Sequence, residues 1–285
     1  MTLPPTLPST DGVQIAVHDL GGSGPTLMLS HATGFHGRCY LPVADLLADR
    51  FHSVAFDYRG HGDTPRPAGA LDWQRFGDDA QAVATALVAE AGGQPIDAFG
   101  HSMGGACLLM AAHRDPGLFR RLVLFEPIVF PPQLAAPGGD GGNSLSGGAR
   151  RRRATFHTFQ AAIDNYAAKP PLNRFTPEAL RAYVEYGFAR DRHGVHLKCR
   201  PETEAETFES GPHHDTWNHL PGITTEVLVV AGRVEPMQPS MMAAGVAECL
   251  PRGRYLQLGE LDHFGPMSHP DVVARVLAEE LTRPG

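Results

Sequence analysis

The feature that most restricts what this chain can become is the run Ile96-Asp97-Ala98-Phe99-Gly100-His101-Ser102-Met103-Gly104-Gly105. A short apolar segment ends at Gly100, and a segment rich in alanine and leucine begins just after Ser102. Strand, very tight turn and helix, with Gly-x-Ser-x-Gly as the turn, is the arrangement that thrusts a serine hydroxyl out of a sheet. The reason for the glycines is crowding: only small residues at Gly100 and Gly104 let strand and helix approach so closely. The helix start beneath the serine aims backbone N–H groups at any negative charge forming there. The run predicts a nucleophile at Ser102.

A serine hydroxyl is a poor nucleophile at neutral pH, so it needs a histidine base, and the imidazole needs an acid to fix its tautomer. Of the 15 histidines, His263 is the candidate base, because it follows the last strand pattern on a loop able to fold back over Ser102. His101 adjoins the serine, but neighbours at a sharp turn point apart. Two glutamates close strand patterns and precede His263 in the chain: Glu126 in Phe125-Glu126-Pro127, and Glu235 in Gly232-Arg233-Val234-Glu235. Either gives the order serine, acid, histidine. Glu235 is the first choice and Glu126 the second. Attack on a carbonyl also creates an oxyanion that needs donors. The Met103 amide is one candidate, and the Thr33 amide, on the loop after the strand at 26–30, is the other. His213, His214, Asp215 and His219 follow no familiar metal spacing and read as solvated polar residues; the chemistry requires no metal or organic cofactor.

The rest of the chain alternates strands and helices. Residues 13–19 alternate apolar and polar as a half-exposed edge strand does. Buried strands are expected at 26–30, 53–56, 96–100 and 121–125, with helices near 40–49, 76–91 and after Ser102. This rhythm means a mostly parallel sheet covered on both sides. It breaks after Pro127. Residues 131–149 are rich in glycine, proline and serine, and helical stretches follow at about 154–168 and 177–190. The α/β rhythm returns with strands near 225–232 and 254–258 and a last helix at 270–281. The chain therefore reads as a core, 1–127 with 223–285, interrupted by a mostly helical insert at 128–222. The Gly-rich stretch 131–149 is expected to gate entry, and Arg150 to Arg153 to start a helix in solvent.

A net charge of −7 leaves no basic field to attract nucleic acid or an anionic membrane surface. The four cysteines, Cys39, Cys107, Cys199 and Cys249, are far apart and form no C-x-x-C pair, which fits reduced thiols in a cytoplasmic protein. The N-terminal residues lack the basic start and apolar run of a signal peptide, and no apolar run reaches the length of a membrane span.

Several of these motifs together resemble the α/β-hydrolase superfamily, in its serine esterase and lipase-like branch. Ser30-His31-Ala32-Thr33-Gly34-Phe35 is similar to the family's oxyanion loop, with Ala32 where glycine is usual. Asp57-Tyr58-Arg59-Gly60-His61-Gly62 is similar to its Asp-x-Arg-Gly-x-Gly turn, Gly100 to Gly104 to its nucleophile elbow, and Gly259 to Phe264 to its histidine loop. The resemblance implies an eight-stranded, mostly parallel sheet with a helical cap inserted after strand six. The family most often has an aspartate in a Gly-x-x-Asp context after strand seven, where this chain has Glu235. Some relatives carry a glutamate after strand six, a context Glu126 matches. A serine nucleophile speaks against dehalogenase or epoxide hydrolase chemistry, and the lack of Gly-Pro-Gly after the oxyanion loop speaks against carbon–carbon bond hydrolysis.

The expected function is hydrolysis of a carboxylic ester or related acyl bond of a small, apolar molecule through an acyl-enzyme on Ser102. Two other outcomes share the motifs: a binding or sensing protein on the same scaffold, and an acyltransferase or perhydrolase that sends the acyl group to an acceptor other than water. Phe156, Phe159, Tyr166, Tyr183 and Tyr186 supply aromatic surface either to an acyl pocket or to packing among the cap helices.

Overall fold

The computed structural model describes residues 4–133 and 144–284. Eight strands form one sheet: β1 (Thr6–Pro8), β2 (Gln14–Gly22), β3 (Thr26–Ser30), β4 (His52–Phe56), β5 (Ile96–His101), β6 (Phe119–Phe125), β10 (Glu226–Ala231) and β11 (Gly253–Gln257). Their spatial order is β1-β2-β4-β3-β5-β6-β10-β11. β2 runs antiparallel to β4, and β1 to β2; every other pair is parallel. β1 was not legible in the sequence, because three residues with two prolines flanking Thr6 and Leu7 carry no alternation to read.

The inner parallel strands carry buried apolar runs, at 27–29, 54–56, 122–125 and 227–231, because both faces are covered, while β11 at the sheet's edge is more exposed. On one face lie α2 (Trp73–Glu90), α3 (Met103–Arg114) and α9 (Ser240–Cys249), which share a core with Ile15, Met28, Ala98, Leu124 and Val229. On the other lie α1 (Leu41–Leu46) and α11 (Pro270–Leu281), around Leu27, Leu29, Phe99, Val123 and Val230. In α2, Trp73, Phe76, Ala80, Val83, Ala84 and Leu87 recur at helical spacing and all are buried. The Asp72 carboxylate accepts from the Gln74 amide at 2.9 Å and so caps this helix, which is why it starts before the apolar stretch that begins at Phe76.

Between β6 and β10 the chain leaves the sheet. The described part of this insert holds α4 (Ser144–Arg150), α5 (Phe159–Ala167), α6 (Pro177–Gly187), α7 (Pro201–Ser210) and α8 (Thr216–His219). It also holds a small antiparallel sheet, in the order β7 (Thr155–Phe156), β9 (Gly194–Leu197), β8 (Phe188–Asp191). The helices expected at 154–168 and 177–190 are therefore shorter than the sequence suggested, each giving up one end to a strand. Phe156, Phe188 and Val195 are apolar at strand positions and fully buried, and that packing overrides the local helical preference. Phe156, Ala162, Tyr166, Phe175 and Tyr183 join the same core as Phe35 and Phe99, and the insert packs through α6 against residues 37–40, α1 and residues 265–268. Of the stretch expected to gate entry, residues 134–143 lie outside the described residues, and 144–149 are helical. Arg150 ends α4 rather than starting a helix and stays about half exposed beside Glu209 of α7, whereas Arg152 pairs with the buried Glu204 of the same helix. All four cysteines are free thiols. Among the described residues no helix is long and apolar enough to cross a membrane.

Candidate active site

Ser102 stands between β5 and α3 with φ 56° and ψ −118°, a region non-glycine residues avoid. The surroundings hold it there. Its N–H donates to the Phe125 carbonyl at 2.9 Å, and its carbonyl accepts from Ile128 at 3.2 Å and Gly105 at 3.0 Å. A methyl group on Gly104 would lie 2.3 Å from the Ser30 carbonyl oxygen, and one on Gly100 would lie 2.7 Å from the Gly105 Cα. These two glycines are what let the turn close.

The register across the sheet then decides the neighbours. His101 pairs with Phe125 across β5 and β6, and Phe125 with Val230 across β6 and β10. The residues just past these pairs, Ser102, Glu126 and the start of the loop at Gly232, therefore come side by side. Glu126 has φ 46°; its amide donates to the Val230 carbonyl at 2.9 Å, and its Oε1 accepts from the Gly232 amide at 2.8 Å. Oε2 lies 2.6 Å from His263 Nδ1. His263 Nε2 in turn lies 3.2 Å from Ser102 Oγ. A carboxylate oxygen accepts, so the ring proton sits on Nδ1 and Nε2 turns its lone pair to the serine. Glu126 is 1% exposed and Ser102 6%.

Glu235, the first choice from sequence, is not in this constellation. Its side chain is 51% exposed and pairs with Arg233 at 2.9 Å. The Gly232 amide at the end of β10 holds Glu126 Oε1 toward the histidine, while further along the same loop the Glu235 side chain turns out to Arg233. Asp262 is engaged elsewhere, with Arg174 Nη1 at 2.7 Å.

The amides of Met103 and Thr33 donate to no other protein group among the described residues. The loop that carries Thr33 is fixed by His31, whose Nδ1 donates to the Ala32 carbonyl at 2.8 Å while Nε2 accepts from the Tyr58 amide at 3.0 Å. Burial, with His61 beside it, pushes the His31 pKa down to about 3, so the ring stays neutral. The next loop is fixed by Asp57, which accepts from the Gly37 and Asp63 amides, each at 2.7 Å, and from His18 Nε2 at 2.8 Å. Arg59 lies flat against Asp79 in α2, with Nε and Nη2 bonds of 2.8 and 2.7 Å.

Sequence reasoning set His101 aside, and it is part of the framework. Its Nε2 lies 2.8 Å from the His263 carbonyl and must donate to it. Its Nδ1 lies 2.8 Å from the Tyr40 hydroxyl, and that hydroxyl also accepts from the Ala32 amide at 3.3 Å. Burial holds the His101 pKa well below the ordinary histidine value. The one sequence signal for this role is its place beside the serine. Aromatic rings surround the site: Phe35 lies 6.3 Å from both His101 and Phe264 and 5.3 Å from Tyr183, centroid to centroid, and Phe175 lies 5.8 Å from Phe264. Of the aromatic residues singled out from sequence, Phe156, Tyr166 and Tyr183 are buried in the core, while Tyr186 stays exposed beneath Arg38.

Two groups of polar side chains invite a metal reading. His18, Asp57 and Asp63 bring ligand atoms within 4.8 Å of one another, but His18 and both Asp57 oxygens are already engaged in the loop's own hydrogen bonds. His214 uses both ring nitrogens, on Thr216 Oγ1 at 2.9 Å and the Ile128 carbonyl at 3.0 Å, and stacks on Trp73.

The alpha/beta hydrolase family model matches residues 27–276, and the chain belongs to that family. It is 27% identical to a Mycobacterium tuberculosis protein named "Probable oxidoreductase EphD" across 93% of this chain, and it spans 47%, about half, of that relative's length. It is 23% identical to the 2-(acetamidomethylene)succinate hydrolase of Mesorhizobium japonicum, over 90% of this chain and 87% of that protein. A crystal structure of E-2-(acetamidomethylene)succinate hydrolase superposes with a TM-score of 0.81 at 20% identity, covering 97% of this chain and 98% of the other. The eight-stranded, mostly parallel sheet with flanking helices is the α/β-hydrolase fold.

Proposed function

We propose that this protein is a serine hydrolase that cleaves an ester or related acyl bond of a small molecule. The observation that carries the reading is the line of contacts from Glu126 through His263 to Ser102, at 2.6 and 3.2 Å. In this reading Ser102 Oγ attacks the substrate carbonyl carbon, and Nε2 of His263 takes the hydroxyl proton. Glu126, facing Nδ1, stabilises the imidazolium that results. The oxygen of the tetrahedral intermediate accepts from the Met103 and Thr33 amides, which offer preorganised donors at no reorganisation cost. The proton on Nε2 passes to the leaving oxygen or nitrogen as the carbon–leaving group bond breaks. Water, deprotonated by the same nitrogen, then releases the acyl group and regenerates Ser102. The insert acts as a cap over the site, with Phe35, Phe175 and Phe264 contributing apolar surface for the acyl chain. That the 2-(acetamidomethylene)succinate relative is named a hydrolase supports the class of reaction.

The test is covalent labelling by a serine-directed fluorophosphonate, with the modified peptide mapped by mass spectrometry. Ser102 is expected to be the labelled residue, and Ser102→Ala is expected to lose labelling and about 10⁵–10⁶ in kcat against an ester panel. A wild-type protein that resists the reagent, or that is labelled equally well without Ser102, would sink the reading.

A further inference from the structure

The insert sets a buried ion pair on the loop that carries Thr33. Glu204, on α7, is 4% exposed, and a methyl group on Gly34 would lie 2.4 Å from its Oε1. Gly34 directly follows Thr33, so the carboxylate packs into the space its missing side chain leaves. The partner is Arg152, in the connection between α4 and β7, with Nη1 3.1 Å from Glu204 Oε2. That contact is an ion pair outside hydrogen-bond geometry, and Nη1 also donates to the Tyr183 hydroxyl at 2.7 Å. Glu204 Oε2 is thus a fully buried acceptor with no donor. Tyr183 is itself clamped to the same loop: its ring meets Phe35 edge-on at 5.3 Å, and its carbonyl accepts from His36 Nε2 at 3.1 Å.

A buried carboxylate oxygen without a donor is costly, and here it stands beside the loop that would receive the developing oxyanion. A bare negative charge at that place would oppose the chemistry. Arg152 cancels it, and the pair as a whole is neutral. A neutral pair with a spare acceptor gives little to a charged ligand of either sign, but it matches a neutral group that donates a hydrogen bond. We propose that Glu204, held by Arg152, forms a polar subsite beside the Thr33 loop, selecting substrates with a hydroxyl or amide N–H a few bonds from the scissile carbonyl. This rests on the acyl-hydrolase reading above. Burial raises the Glu204 pKa while Arg152 opposes the rise, as expected for a carboxyl that water does not solvate.

The experiment compares matched esters that differ by one hydroxyl. On the acyl side the pair is p-nitrophenyl 3-hydroxybutyrate against p-nitrophenyl butyrate; on the alcohol side it is 2-hydroxyethyl butyrate against propyl butyrate. Wild-type enzyme should favour the hydroxylated member of at least one pair by about tenfold or more in kcat/KM, the scale on which an unfilled polar subsite rejects an analogue. Removing Glu204 alone would strand Arg152, so the variant is the doubly neutral Arg152→Met with Glu204→Leu, checked by Tm and by fluorophosphonate labelling. It should lose the preference to within about twofold, a residue of one missing hydrogen bond. Equal rates for wild-type enzyme in both pairs would overturn the subsite, as would a preference that persists in a folded, labelled double variant. If wild-type protein takes no label at all, the failure lies with the acyl-hydrolase reading, and the subsite falls with it.

Discussion

The Nε2–H of His101 donates to the main-chain carbonyl of His263 at 2.8 Å, so the residue before the serine holds the loop that presents the imidazole. The Tyr40 hydroxyl, on the other ring nitrogen, links the same histidine to the Ala32 amide. One neutral ring therefore spaces the loops that carry Thr33 and His263. His101→Phe keeps the volume and loses both bonds. Because a small misplacement of a reacting group costs about 10²-fold, kcat should fall by roughly that factor with KM little changed. His101→Gln, which keeps a side-chain N–H donor, should recover part of the loss. Steady-state kinetics on one ester, with Tm as a check on folding, decides the matter; a His101→Phe enzyme with full kcat would remove His101 from the framework.

Glu126 and Glu235 make a paired test. An amide at position 126 can keep the Gly232 bond through its carbonyl, but its NH2 then faces Nδ1. The ring would flip to the tautomer with its proton on Nε2, and the base would be lost. Glu126→Gln should therefore lower kcat by about 10⁴, as expected when a triad histidine is locked in the wrong tautomer. Glu235→Gln, at an exposed pair with Arg233, should stay within about twofold, since exposed pairs contribute little. Comparable losses in the two variants would contradict the geometry described above.

This pair of glutamates also shows how far the sequence could be read. The elbow at Ser102 and the loop at His263 announce themselves locally, through small residues beside a strand end and a histidine after the last strand. The choice between two glutamates does not, because it depends on β6 lying next to β5 with His101 opposite Phe125. Register across a parallel sheet is set by packing between distant segments. The positive φ of Glu126 is equally invisible in one sequence. Arg152 and Glu204 were hidden for a similar reason: a run of four arginines reads as solvated, and only the fold brings two of them against α7, Arg152 in a buried pair.

The closeness of the turn makes a stability test at Gly104. A methyl there would lie 2.3 Å from the Ser30 carbonyl oxygen, and that nearest obstacle is strand main chain, which cannot swing aside. Gly104→Ala should destabilise the fold by about 2 kcal/mol or more, at the upper part of the overpacking range, and labelling of Ser102 should fall as the elbow distorts. Equilibrium urea unfolding provides the measurement. An unchanged midpoint with unchanged labelling would mean that β3 and α3 are further apart than described here.

Acid should unfold this protein earlier than its carboxylates alone would dictate. Burial pushes the pKa of His31 down to about 3 and those of His36, His61 and His214 down to about 4, each from an ordinary value of 6.5. The folded chain keeps these rings neutral, while the unfolded chain protonates them below 6.5. The unfolded state thus binds more protons between pH 6.5 and about 4, and stability falls as pH falls through that window. Each ring contributes a slope of up to about 1.4 kcal/mol per pH unit. The urea midpoint should be level above pH 7 and drop steeply between pH 6 and 5. His214→Gln, whose amide can replace the bond to the Ile128 carbonyl without titrating, should reduce the proton uptake on unfolding by about one. A midpoint that is the same at pH 7 and pH 5 would show that these rings are already protonated, or solvated, in the native state.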